Sequence, residues 1–223
     1  MTGVVGLVVN DPDVVITDLG LALLGGYFGW RLWSKPGQGK RLRAAALIMA
    51  GLASAAFWGA LFHALFPSGT ATRPGLLAWA PVVLSIVVAA VAMLRLAGLL
   101  LVPQLTPALI RLVTIGYAVS FIVFALLIDD SYTSVVYFYV PALLLLLSGA
   151  FRLAIRGHRG WLLVATGLLV SLMAAILQQL RVRIHPVYFD HNAVYHLVQA
   201  TALVLLYYGW QRASFPGGID GSR

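Results

Sequence analysis

The sequence contains no cysteine, which excludes disulfide bonds and thiolate metal ligands. Charge is scarce as well. Only 10% of the 223 residues are charged, against 61% that are hydrophobic. A soluble domain of this length cannot hide so much apolar surface. The only lysines, Lys35 and Lys40, lie in one loop. A retinal-type light-driven pump needs a lysine in its last span, and none is there. No acidic or basic residue falls near the middle of an apolar run, where a coupled transporter would carry one. Strict alternation of apolar and polar residues, the signature of a membrane barrel, is missing. The start, MTGVVGLVVNDPD, has no basic n-region, so no cleaved leader is expected. The formal charge of +8 suggests nucleic acid at first sight. The basic residues are instead scattered over short loops, which is a topology signal, and no nucleic-acid partner is expected.

Apolar runs of about 20 residues recur along the chain, long enough to cross a hydrocarbon core of about 30 Å. Continuous runs of this kind read as helices, which satisfy their own backbone hydrogen bonds in lipid. The sequence predicts an all-α membrane protein, a single seven-transmembrane helix bundle with spans near 14–33, 44–66, 76–96, 107–128, 134–151, 161–180 and 193–210. Breakers rich in Gly, Pro or charge separate them: SKPGQGK, PSGTATRPG, VPQLTP, DDS, RGHRG and RIHPVYFD. No linker suggests a second domain, and no internal repeat is visible.

Lys and Arg give the direction. With the N-terminus outside, Arg31, Lys35, Lys40, Arg41, Arg43, Arg95, Arg111, Arg152, Arg156, Arg159, Arg212 and Arg223 lie inside, 12 of the 15 basic residues. Only Arg73, Arg181 and Arg183 are then outside, so the C-terminus is expected inside. Six of the seven acids, Asp11, Asp13, Asp18, Asp129, Asp130 and Asp190, fall on the outer side. Abundant Ala, Gly, Leu and Arg with little Lys suggests a GC-rich bacterial genome, and hence a bacterial plasma membrane.

The informative stretch is FDHNAVYHLVQ, at the mouth of the last span. His196 lies about one turn into that span, with Asp190 and His191 just above it. His63 lies one turn before the outer end of the second span, in AFWGALFHALFP, and Asp18 about one turn into the first, in VVITDLG. Three distant parts of the chain thus place polar groups at one depth near the outer face. Such groups are costly in a membrane and turn toward the bundle interior. Three histidines with a carboxylate at one level suit Zn²⁺, which takes three protein ligands and a water in catalytic sites. His191 and His196 are five apart, about 140° past a full turn, so they share a face only if His191 hangs from the entry turn. Asp190 or Asn192 there is a good N-cap. Gln199 continues the His196 stripe, and Ser171 and Gln178 share a face of the sixth span, where they can line the same cavity as a substrate pocket or simply hold helices together. Asp18 and Asp190 read either as caps or as groups orienting a ligand. His158 and His185 read as surface residues. A haem held between His63 and His196, with Gly59 and Ala60 making room, is a further reading, though it leaves His191 unexplained.

Seven spans, a histidine on the second and a histidine pair opening the seventh resemble the CREST superfamily of alkaline ceramidases, progestin and adipoQ receptors and GPI-remodelling hydrolases. The stretch FDHNAVYHLVQATALVLLYYG is similar to that of bacterial membrane proteins at the edge of that superfamily. The resemblance implies a zinc-dependent hydrolase cleaving a lipid amide or ester, with His63, His191 and His196 as zinc ligands; the depth of the cluster sets the site near the outer membrane face, and Asp18 or Asp190 is the carboxylate expected to act as general base or orient a ligand. Three departures stand out. The family serine four residues before the second-span histidine is Gly59 here, with Ser54 further back. The acid opening the family's third span has no counterpart in TRPGLLAWAPVVLS. The family pair H-x3-H is H-x4-H. A non-catalytic protein binding metal, lipid or haem through the same cluster is the alternative.

Overall fold

The computed structural model describes residues 9–36, 39–185 and 189–213. Residues 1–8, 37–38, 186–188 and 214–223, Arg223 among them, lie outside the described residues. The described residues are all-helical, with seven long helices among them: α1 Pro12–Trp33, α2 Lys40–Leu65, α3 Arg73–Leu101, α4 Pro107–Val123, α5 Tyr132–Ala154, α6 Arg159–Gln179 and α7 His191–Arg212. A π-helical turn, Phe124–Ile128, prolongs α4 and closes with a bond from Asp129 N to Phe124 O (2.9 Å). Small polar residues start several helices by capping free backbone N–H groups. Thr72 accepts from Gly75 N, Thr106 from Leu109 N and Ser131 from Ser134 N.

Among the described residues, five helices are long and apolar enough to cross a membrane: Lys40–Leu65, Arg73–Leu101, Pro107–Ile128, Tyr132–Ala154 and Arg159–Gln179. This is the pattern of an integral membrane protein. The two helices outside that set, α1 and α7, carry much of the polar side-chain cluster described below. Among the described residues, eleven Lys and Arg lie toward the end of the bundle where α1 stops. Arg73, Arg181 and Arg183 lie toward the opposite end, together with Asp11, Asp13, Asp18, Asp129, Asp130 and Asp190.

Six helices close a ring in the order α1, α2, α3, α5, α6, α7 and back to α1. The fourth helix stays outside the ring, leaning on α3. Its outward residues Leu112, Val113, Ile115 and Val119 are exposed, as a lipid-facing surface requires. Small residues draw the ring tight. A Cβ on Gly51 of α2 would lie 2.8 Å from Ser85 O and 2.9 Å from Ala89 N of α3. A Cβ on Gly167 of α6 would lie 2.8 Å from Leu206 Cγ and 3.0 Å from Leu206 N of α7. Close approach at small residues is how membrane helices gain packing contact. Ser54 and Ser85 add a hydrogen bond between α2 and α3 (2.8 Å), and Ser85 also donates to Pro81 O (2.7 Å). Ser54 therefore serves helix packing, away from the cavity described next.

Candidate functional site

The ring encloses a cavity of about 390 Å³, open toward the acid-rich end. All six ring helices line it, and the described part of α4 does not. This volume lies at the small end of the range for small-molecule sites, about 300–1,000 Å³. Asp18, Trp79, Tyr139, Ser171 and Gln199 stand six to eight residues from the ends of their helices on the acid-rich side of the bundle. At 1.5 Å per residue that is one level, about 9–12 Å in. Above it, nearer the mouth, are His63, His191, Asn192, Gln178 and Asp130. Below it the wall is apolar, with Leu52 and Ile86 deepest, 13 residues from their helix ends and about 20 Å in.

The central contact joins α1 to α7. His196 Nε2 lies 3.1 Å from Asp18 Oδ1, and both residues are buried, with 7% and 3% of their surface exposed. The other ring nitrogen, Nδ1, lies 3.0 Å from Thr17 Oγ1. Thr17 also bonds back to its own helix at Asp13 O (2.9 Å) and Val14 O (3.0 Å), which fixes the hydroxyl against the imidazole. Gly59 of α2 makes room for this pair. A Cβ there would stand 3.0 Å from Asp18 Oδ2, so the carboxyl group occupies the space that any side chain at position 59 would need.

The other expected residues gather around this pair in different roles. His63 Nδ1 is 3.8 Å from Asp11 Oδ2 at the rim. His191 Nδ1 is 3.4 Å from Asp190 Oδ2. Asp190 itself is the N-cap of α7, accepting from Asn192 N (2.8 Å) and Ala193 N (2.9 Å). Its own N–H donates to Asp13 Oδ2 (3.1 Å), which ties the start of α7 to α1. Asp190 is not among the lining residues. Ser171 donates to Gln199 Oε1 (2.8 Å), and Gln178 Nε2 donates to Asn192 Oδ1 (3.3 Å), so both pairs lock α6 to α7 while facing the cavity.

His63, His191, His196 and Asp18 around one cavity have the donor chemistry of a zinc site. Their placement is a different matter. His196 has both ring nitrogens engaged, and a zinc ion shared by the three histidines would have to displace Thr17 or Asp18 from it. Among the described residues, no three histidine or acidic side chains are grouped so as to hold a metal ion.

The model of a protein family of unknown function, DUF6962, matches residues 14–214. The chain belongs to this family. The matched stretch runs from the first turn of α1 past the end of α7, so it contains Thr17, Asp18, Gly59, His63, His191 and His196. No curated protein and no solved structure matches the chain.

Several cavity residues escaped the reading of the sequence. Thr17 sits beside Asp18 in VVITDLG, and only the crossing of α1 with α7 turns it toward His196. Trp79 and the tyrosines Tyr132, Tyr139 and Tyr195 look like ordinary interfacial aromatics in sequence, yet all four line the cavity. Asp130, in the acidic turn before α5, also reaches it.

Proposed function

We propose that this chain is a seven-helix protein of the bacterial plasma membrane, with its N-terminus outside and C-terminus inside, that takes a membrane lipid into the ring cavity from the outer face. The Asp18–His196 pair is the polar centre that meets the lipid's head region. One observation carries this reading: a single cavity, polar near its mouth and apolar at depth, gathers side chains from six helices around a buried Asp–His pair. Ionisable groups inside a membrane are expensive and mark functional sites by default. The one-sided distribution of Lys and Arg supports the orientation. The test is lipid extraction and mass spectrometry of the purified protein, wild type beside His196→Ala and Gly59→Leu. A lipid retained by the wild type and lost from both variants supports the reading. Equal lipid content in all three refutes it.

A second reading is favoured by the three histidines on one cavity wall. It is hydrolysis of a lipid amide or ester with zinc at His63, His191 and His196, as the CREST resemblance implies. Asp18, filling the room at Gly59, then stands where the superfamily has its serine. This reading requires His196 to exchange one of its present partners for the metal. Its test is elemental analysis. About one zinc per chain, lost in His63→Ala and His196→Ala, supports it. A folded, metal-free protein never exposed to chelator rules it out.

A further inference from the structure

The seam between α1 and α7 carries a second arrangement, at the basic end of the bundle and away from the cavity. Thr17 meets His196 across it, 179 positions later. Phe28 stacks on Tyr207 with the same offset, ring centroids 4.1 Å apart. A constant offset over three turns means that the two helices run parallel and in register. Arg31 therefore comes level with the last turn of α7, which holds Gln211 and Arg212. The Arg31 guanidinium hydrogen-bonds the Tyr207 hydroxyl, which also accepts from Gln211 Nε2 (2.5 Å). The Arg212 guanidinium lies over the Tyr208 ring, 5.8 Å from its centroid. Both arginines are exposed. Every aspartate of the described residues lies toward the opposite end, and the chain has no glutamate, so neither arginine has an acidic partner among them. Tyr27 and Arg31, four apart, share one face of α1, and Tyr208 and Arg212 share one face of α7. Toward the middle of the bundle these faces continue as Leu24 and Val204, both half-buried. None of these residues lines the ring cavity.

Cations scattered at helix ends need be no more than a topology signal. Here two of them meet at one seam from opposite ends of the chain, and a buried tyrosine fixes one of them. A guanidinium carries five N–H groups in a fork that fits phosphate oxygens, and the bond to Tyr207 leaves most of them to a ligand. The flanking tyrosines and the apolar line beneath them suit a phosphate that is attached to an acyl chain. We infer that this seam binds an anionic phospholipid of the adjoining leaflet, its phosphate held by Arg31 and Arg212 and an acyl chain lying along Leu24 and Val204. A zwitterionic head group gains less, because no carboxylate at this end meets its ammonium. The inference uses the placement of α1 and α7 in the bilayer and is independent of what occupies the cavity.

The experiment is native mass spectrometry of the detergent-solubilised full chain titrated with phosphatidylglycerol, phosphatidylethanolamine of the same chains, and glycerol 3-phosphate, a head group without chains. The first phosphatidylglycerol is expected to bind at least about fivefold more tightly than phosphatidylethanolamine. Arg31→Gln and Arg212→Gln are each expected to weaken it by about fivefold, the contribution of one arginine at an anionic lipid surface, with the fold intact by size exclusion. Arg111→Gln removes an exposed cation at the same end of the bundle, on the helix outside the ring, and is expected to leave that affinity within about twofold. Equal binding of the two lipids overturns the selectivity, and an equal loss in all three variants overturns the seam as the site. Glycerol 3-phosphate bound as tightly as the lipid overturns the lipid assignment. If phosphatidylglycerol does not bind, this inference falls, while lipid retention by the cavity, tested at His196 and Gly59, is decided separately.

Discussion

Replacing Asp18 by leucine would leave His196 Nε2 facing an apolar group in a site sealed from water on all sides but the cavity. The reverse change, His196→Phe, would leave the Asp18 carboxyl without its ring partner. Removing one member of a buried, hydrogen-bonded pair typically costs about 3–5 kcal/mol, most of it from the group left behind. If the two residues acted independently, the double variant Asp18→Leu/His196→Phe would lose roughly 6–10 kcal/mol. With the two groups 3.1 Å apart, neither orphan exists in the double variant. Its loss should therefore be close to that of one single variant or below it, a coupling of about 3 kcal/mol. The residual cost falls on Thr17, whose hydroxyl keeps its bonds to Asp13 O and Val14 O after losing the imidazole. Equilibrium unfolding of the three variants and the wild type in mixed micelles measures the cycle. Single-variant losses that add within about 0.5 kcal/mol would refute the contact between α1 and α7 on which the site depends.

Serine at position 59, the residue found there in the CREST resemblance, is expected to push the Asp18 carboxyl off His196. It should cost about 1–3 kcal/mol by overpacking and lower lipid retention; retention at the wild-type level would show that Gly59 is not reserved for Asp18. Asp190→Ala removes the cap of α7 and should cost about 1–2 kcal/mol in unfolding, with lipid retention unchanged because Asp190 does not line the cavity. A loss of binding larger than the loss of stability would return Asp190 to the site. Gly167→Ala and Gly116→Ala form a matched pair. The first sets a methyl 2.8 Å from Leu206 and should destabilise, while the second meets nothing within 4 Å and should stabilise by up to about 1 kcal/mol through helix propensity. The same sign for both in a thermal shift assay would refute the packing of α6 on α7.

The helices were legible because their signal is continuous apolar length, which local sequence contains in full. The breakers fall between the helices, although α3 runs five residues past the end expected at 96, and Asp190 was one of two caps, with Asn192, that the sequence offered for α7. The site was legible only in part. Depth could be read, since residue counts from a helix end convert to distance, and His63, His196, His191, Asp18, Gln199, Ser171 and Gln178 all line one cavity. Pairing could not. Which groups meet depends on the angles at which α1, α2 and α7 cross, and these are set by small residues such as Gly59 whose meaning is a neighbour's shape. The five-residue offset between His191 and His196 illustrates the limit. It places them on different faces of an ideal helix, yet His191 sits in the first turn, where the cavity mouth is wide enough to admit both.

The ring order explains why the two helices outside the set apolar enough to cross a membrane are the first and the last. A polar side chain in a membrane protein is tolerable only where another chain segment covers it, and α1 and α7 cover each other. Asp18 and His196 are 178 positions apart in sequence, so neither has its partner until the whole ring has closed. On the proposed seven-span reading, α1 must before that hold an aspartate at membrane depth with only Thr17 and the glycine gap at position 59 beside it. It follows that a chain ending before α7 should hold α1 poorly in the bilayer, and that adding α7 as a separate peptide should restore it. Protease protection of an N-terminal tag in membranes, compared between the 1–185 fragment, the same fragment co-expressed with 186–223 and the full chain, measures this directly. Full protection of α1 in the fragment alone would mean that the Asp18–His196 contact is a consequence of insertion and contributes nothing to it. Restored protection on adding α7 would make that contact the step that seals the first helix in place and completes the cavity at the same time.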